Sequence, residues 1–362
     1  MVTKHALASG LVEATQLTRA GRLQEATALI QQFLRQEPIA ESAVDDASGR
    51  VIDAVFSKRQ EPIQTPRQGK PGNFITGSYS NPAGTRPYKL YTPTGYSGTA
   101  LPLIVMLHGC TQTPDDFAAG TRMNALAQEL GCFVLYPAQT QGANRSRCWN
   151  WFKRGDQRRE KGEPAIIAGM TREIIGRYEI DPRKVYVAGL SAGAAMAAVM
   201  GAAYPDIYAA VGMHSGLAVG SAHDVPSAFA VMRGTPQSSP RGAASGPRRQ
   251  PVPLIVFHGD RDTTVHPQNS ERVVLESADR NAVPSHKVSV EQGQVPGGHA
   301  YTRTVHSDPT GRVMLEHWLV HGAGHAWSGG STRGSYTDPK GPDAARAMIR
   351  FFYEHQRSGD RP

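Results

Sequence analysis

The sequence predicts an α/β fold, a mostly parallel central sheet covered by helices on both faces and preceded by a small helical arm. Three observations carry this. Short, wholly apolar runs such as 103–107 and 254–257 read as strands buried on both faces. Stretches of helical period lie between these runs, the alternation expected of βα units. The run 185–188 passes through Gly189 directly into a small-residue helix at 192–203, whose short side chains let it lie close against a sheet.

The elements follow in chain order. Residues 1–56 form the arm: Leu11, Leu17, Leu23, Ala26, Leu29, Ile30 and Leu34 recur at helical intervals around a turn at Gly21. The stretch Ala20-Gly21-Arg22-Leu23-Gln24-Glu25-Ala26 is like one tetratricopeptide hairpin. A lone repeat cannot bury its own apolar face, so the arm is expected to contact the catalytic domain or another subunit. Residues 57–72 are polar and rich in Pro and Gly and read as a linker. The catalytic domain is placed at 73–357 and a short tail at 358–362. Within the domain, strands are expected at 86–91, 103–107, 132–136, 185–188, 209–213, 254–257 and 316–320, with helices at 123–130, 165–178, 192–203 and 344–355. The segment 221–251, rich in Ser, Gly, Pro and Arg, breaks the rhythm and reads either as a lid over one end of the sheet or as a tolerated insertion.

Composition narrows the class. With 362 residues, 39% hydrophobic and 19% charged, the chain is an ordinary globular enzyme in its proportions. The formal charge of +8 is clumped at Lys153, Arg154, Arg158, Arg159 and Lys161, and again at Arg241, Arg248 and Arg249. No nucleic-acid-binding signature accompanies the clumps, so they read as solvated surface and no nucleic-acid partner is expected. No run is long enough to span a bilayer. The N-terminus carries no recognisable secretory leader, which leaves a cytoplasmic location or leaderless export open. The three cysteines, Cys110, Cys132 and Cys148, make neither a disulfide framework nor a zinc site by their number.

The chemistry centres on Gly189-Leu190-Ser191-Ala192-Gly193, a nucleophile elbow in which a serine sits on a strained strand-to-helix turn. The flanking glycines stand where backbone and helix come too close for a Cβ. Leu107-His108-Gly109-Cys110 ends an upstream strand, where the α/β-hydrolase fold places the second half of an oxyanion hole. The donors are assigned to the amides of Cys110 and Ala192. The strand at 254–257 runs into His258-Gly259-Asp260-Arg261-Asp262. Asp262 is chosen as the acid that orients the base, with Asp260 as runner-up. The base follows the next strand: His325, in the glycine loop Gly322-Ala323-Gly324-His325, with His321 competing. His317, His321 and His325 stand four apart, but Gly322 and Gly324 argue against a helix, so a metal site is a minor reading and none is assigned.

With these residues in place, the chain resembles the polyhydroxybutyrate depolymerase-type esterases, a branch that includes feruloyl and acetylxylan esterases. The matching stretches begin at Leu107-His108-Gly109-Cys110, Arg147-Cys148-Trp149-Asn150, Gly189-Leu190-Ser191-Ala192 and Gly322-Ala323-Gly324-His325. The resemblance implies hydrolysis of short-chain hydroxyacyl or aryl esters through an acyl-enzyme, without a cofactor; a peptidase on the same fold is the alternative. It implies a Cys110–Cys148 disulfide, against the alternative of two free thiols. Trp149 and Trp151 are either core residues or walls of a substrate cleft, and His108 and Trp327 join them as candidate substrate contacts. Members are commonly exported. With only the small arm beside the catalytic domain, soluble esters and oligomers are expected to be cleaved faster than crystalline polymer.

Overall fold

The computed structural model describes residues 72–235, 252–280 and 287–357. The helical arm, all of the linker but Gly72, the second half of the 221–251 segment and the tail lie outside the described residues. Among the described residues, no helix is long and apolar enough to cross a membrane.

Ten strands form one sheet. β1 (Asn73–Asn81) and β2 (Gly84–Thr92) make an antiparallel hairpin at one edge. β3 (Leu101–Leu107), β4 (Phe133–Pro137), β5 (Ile180–Leu190), β6 (Ala210–His214) and β7 (Leu254–Gly259) follow. β8 (Lys287–Gln294) and β9 (Ala300–Ser307) precede β10 (Val313–Val320). Their order across the sheet is β1-β2-β4-β3-β5-β6-β7-β10-β9-β8. The six strands from β4 to β10 in that order run parallel, and the flanking pairs are antiparallel. All parallel strands therefore end on the same side of the sheet, where crossover loops can converge.

The alternation of side chains divides the core in two. In β3, Leu103, Val105 and Leu107 join the apolar cluster on one face, and Ile104 and Met106 join the cluster on the other. The helices α1 (Pro114–Thr121) and α2 (Met123–Leu130) cover the second face through Phe117, Met123 and Leu126. The helices α3 (Gly162–Arg177) and α4 (Ala192–Ala203) cover the first through Ile166, Met170, Met196 and Val199. α5 (Val225–Met232) and α6 (Gln268–Arg280) lie between later strands, and α7 (Ala344–Tyr353) closes the second face with Met348, Ile349 and Phe352. The structure is an α/β-hydrolase fold. The expected close approach of α4 is present: a Cβ at Gly201 would lie 2.4 Å from Val211 Cγ2 on β6.

Several elements go beyond the sequence expectation, among them the edge strand β1 and helix α1, neither of which was expected. The start of the 221–251 segment is ordered as α5, with Asp224 and Ser227 forming a reciprocal capping box behind Pro226. α6 escapes the periodicity because only Val273, Val274 and Leu275 punctuate an otherwise polar stretch. The β8–β9 hairpin is half polar and extends the sheet past β10, with β8 exposed on both faces over nearly its whole length.

Candidate active site

The elbow is held by backbone geometry. Ser191 sits at φ 57°, ψ −120°, a conformation that costs a non-glycine residue about 1–3 kcal/mol and persists only where its surroundings over-determine it. They do so here. The Ser191 amide donates to the His214 carbonyl of β6 at 2.9 Å. A Cβ on Gly189 would lie 2.4 Å from the Gly193 carbonyl carbon, and one on Gly193 would lie 2.0 Å from the Leu107 carbonyl oxygen. Both positions exclude any side chain, so the turn from β5 into α4 presses directly on the end of β3.

Asp262 follows β7 and His325 follows β10, adjacent parallel strands, so both lie at the same side of the sheet as Ser191. His325 Nδ1 donates to Asp262 Oδ2 at 2.7 Å. The other carboxylate oxygen accepts from the amides of Thr264 at 2.9 Å and Val265 at 2.8 Å. The Asp262 side chain is fully buried. Burial alone would raise its pKa, but the bonds and charges of His258 and His325 outweigh that and hold it well below the usual carboxylate range. The two loops are in backbone contact: Arg261 N–H donates to the Ala323 carbonyl at 3.0 Å, and a Cβ on Gly259 would stand 2.3 Å from that same oxygen.

The two runners-up pair with each other. Asp260 Oδ2 binds His321 Nδ1 at 3.0 Å, Asp260 Oδ1 accepts from the Gly322 amide at 2.7 Å, and His321 Nε2 meets Thr302 Oγ1 at 2.9 Å. This second pair is more open: the His321 side chain is 39% exposed against 11% for His325. His317 binds Ser270 Oγ at 3.2 Å, so the three histidines spaced four apart turn to three different partners. Among the described residues, no three His, Cys, Asp or Glu side chains converge as a metal site would require.

Ala192 opens α4, where the first amides of a helix lack intrahelical acceptors. In the facing loop, the Gly109 amide donates to Gln112 Oε1 at 2.9 Å and the Thr111 amide to the Ser146 carbonyl at 2.6 Å. Between them, no hydrogen bond from the Cys110 amide is found among the described residues. Cys110 and Cys148 are joined by a disulfide, as the family resemblance implied, and Cys132 is a buried free thiol. The bond closes a loop of 38 residues and anchors the turn carrying Cys110 to the Trp149 segment.

The four residues considered for substrate contact are all buried: His108 and Trp327 at 1%, Trp149 at 0% and Trp151 at 6% exposure. The polar atoms of His108 and Trp149 are spent on structure. Trp149 Nε1 donates to the His108 carbonyl at 3.1 Å. His108 Nδ1 donates to the Gly109 carbonyl at 2.7 Å, and its Nε2 accepts from the Gln139 amide at 3.1 Å. Trp327 stacks on His214 at 5.2 Å between centroids, and His214 Nε2 accepts from the Ser328 amide at 2.9 Å. These rings hold the loops around the elbow in place.

Three supports escaped sequence reasoning. Gln112 fixes the Gly109 turn and is itself held by Asp116 and Ser335. Glu163 is buried and accepts from the Asn150 amide at 2.7 Å and Asn150 Nδ2 at 2.6 Å, with Gln139 and Arg86 also on it, which secures the segment beyond Cys148. Burial, and secondarily the charge of Asp156, raises the Glu163 pKa. His258 donates from Nε2 to the Val265 carbonyl at 2.7 Å and sits 3.4 Å from Asp262 Oδ2. Of these, only His258 left a trace in the sequence, as the histidine of the His258-Gly259 pair.

Residues 86–282 match the family described as Esterase PHB depolymerase. The chain is 33% identical over 253 residues to poly(3-hydroxyalkanoate) depolymerase C of Paucimonas lemoignei, covering 68% of this chain and 59% of that one. It is 32% identical over 211 residues to a probable acetylxylan esterase A of Neosartorya fischeri, covering 54% and 55%. It thus spans little more than half the length of these relatives. Among solved structures, an acetyl xylan esterase from Aspergillus awamori superposes with a TM-score of 0.57 at 22% identity, covering 74% of this chain and 94% of that one, a likeness of fold. With the strained elbow and the buried His–Asp pair at one side of a parallel sheet, this match over more than half of the sequence means that the chain belongs to the Esterase PHB depolymerase family of α/β-hydrolases, related to the acetylxylan and feruloyl esterases.

Proposed function

We propose that the protein is a serine esterase that cleaves short-chain carboxylic or hydroxyacyl esters through an acyl-enzyme, with Ser191 as nucleophile, His325 as base and Asp262 as its orienting acid. The observation that carries this reading is the 2.7 Å bond from His325 Nδ1 to the buried Asp262 carboxylate. That bond fixes the tautomer in which Nε2 bears a lone pair, the form needed to take a proton from a hydroxyl. Ser191 Oγ attacks the ester carbonyl while His325 Nε2 accepts its proton. The negative charge formed on the carbonyl oxygen is met by the Ala192 and Cys110 amides. The tetrahedral adduct collapses, the alcohol leaves with the proton from His325, and an acyl-Ser191 ester remains. Water then attacks that ester, giving its proton to His325, and the acid departs as Ser191 regains its hydrogen.

The substrate class rests on the family and on its relatives named as depolymerase and acetylxylan esterase. Soluble hydroxybutyrate oligomers and acetyl esters are the expected substrates. The test combines a fluorophosphonate probe with turnover. Labelling should map to Ser191, and Ser191→Ala should fold normally yet lose p-nitrophenyl acetate hydrolysis by roughly 10⁴-fold or more. Unlabelled Ser191, or a folded variant with near-native turnover, would remove the nucleophile. Peptide cleavage faster than ester cleavage would turn the reading toward a peptidase.

A further inference from the structure

Among the described residues, the sheet ends in a strand, β8, that has no neighbour on its outer side. β8 pairs with β9 alone, without a bulge, through a register running from Lys287 opposite Ser307 to Gln294 opposite Ala300. Proteins blunt such edges with proline, bulges or charged side chains, because open N–H and C=O groups template another strand, and here the charges are one of each sign, Lys287 and Glu291. Here the strand Lys287-Val288-Ser289-Val290-Glu291 has no proline, and Val288 and Val290 are 51% and 64% exposed. The opposite edge, β1, carries no charged residue that could select a partner.

We infer that this edge pairs with the same edge of a second copy of the chain, antiparallel about a two-fold axis at Ser289. Only in that register does β8 pair its opposite charges as well as its valines. With the axis at Ser289, Lys287 faces Glu291 of the partner, Val288 faces the partner's Val290, and the two Ser289 residues meet. An axis at Val290 keeps only a Val290–Val290 contact and puts Val288 opposite Gln292 and Lys287 opposite Gly293, losing the charged pairs. Opposite charges and β-branched pairs directly across an antiparallel ladder are each stabilising, and like charges are not.

The two faces of the strand agree with this arrangement. Val288 and Val290 lie opposite His306 and Thr304, which lie opposite Leu315 and His317 of β10. That is the face covered by α6, because His317 binds Ser270 there. Lys287, Ser289 and Glu291 share the other face. Glu291 accepts from Arg303 at 3.0 Å, and Arg303 and Arg350 both bind the buried Glu316. Arg350 also pairs with Glu354, so two arginines stand among three carboxylates, and Lys287 of a second copy supplies the missing positive charge. The pairing would form about four to six backbone hydrogen bonds and join two ten-stranded sheets into one. An edge contact of this length is smaller than a standard stable interface, so the dimer is weak and reversible.

The full chain offers a clean assay, since Cys110 and Cys148 are bonded and Cys132 is buried. Sedimentation should show reversible dimerisation, weakened about tenfold or more by Val290→Lys. Lys287→Glu and Glu291→Lys should each weaken it, and the double reversal should restore it to within about threefold of the native value. Ser289→Cys should cross-link to itself on oxidation far faster than Ser78→Cys on the β1 edge, a collisional control. A chain that stays monomeric, a dimer indifferent to these strand substitutions, or equal cross-linking of the two cysteine variants would each overturn the inference. Esterase turnover is not the readout, so these results stand apart from the proposed activity.

Discussion

The stability of the folded protein should fall steeply in mild acid, because two buried histidines serve as hydrogen-bond acceptors. His108 Nε2 accepts from the Gln139 amide and His214 Nε2 from the Ser328 amide. Protonation would set an N–H against an N–H in a buried site, so both rings stay neutral in the folded state. Burial accordingly pushes His108 from its ordinary value of 6.5 down to about 4 and His214 down to about 3. In the unfolded chain both take a proton near the ordinary value. These folded-state values are depressed, so the stability they confer is present above about pH 6.5 and is lost as pH falls toward the folded values. Between about pH 7 and pH 5.5, each imidazole takes about 0.7 of a proton on unfolding that it cannot hold when folded, worth about 1.2 kcal/mol. The two together cost about 2.5 kcal/mol, against a total of about 5–15 kcal/mol for a typical domain. His317, whose pKa burial also lowers, adds in the same direction. Aspartates and glutamates with depressed values titrate below this window, while Glu163, whose pKa burial raises, works in the opposite direction. Chemical denaturation at the two pH values measures the loss directly, and His108→Asn should cut it by about half. Equal stability at both pH values would refute the buried acceptor roles.

Other substitutions probe the site piece by piece. His325→Ala should reduce ester turnover nearly as far as Ser191→Ala, whereas His321→Ala should leave it within about tenfold of native; the reverse pattern in steady-state kinetics would exchange their roles. Gly193→Ala should abolish activity or folding, since its Cβ would stand 2.0 Å from the Leu107 carbonyl; a crystallisable, active variant would show that the elbow can relax. Replacing Cys110 and Cys148 with Ser should lower unfolding free energy by about 4 kcal/mol for a loop of 38 residues, and an unchanged denaturant midpoint would contradict this.

Much of this protein was legible before any coordinates. The helices at Met123–Leu130 and Ala192–Ala203 fall where periodicity puts them, and the central strands announce themselves as unbroken apolar runs because both faces of each are buried. The serine elbow is readable for the same local reason: two glycines and a strand-to-helix switch within five residues leave few conformations open. The hairpin β8–β9 and helix α6 were not legible, since elements wet on one or both faces carry too few apolar residues to stand out.

The arrangement of the histidines is of another kind. Sequence order proposed His325 and Asp262 but kept His321 and Asp260 as rivals, and four-residue spacing even allowed a metal. Only the meeting of the loops after β7 and β10 sorted them into two separate pairs, with Asp262 buried and Asp260 half exposed. Burial likewise put His108, Trp149, Trp151 and Trp327 in the interior, with His108 and Trp149 bonded to backbone groups there. Composition and spacing report which groups a chain carries. Which groups share a proton depends on contacts between residues some sixty positions apart, and those exist only once the sheet has assembled.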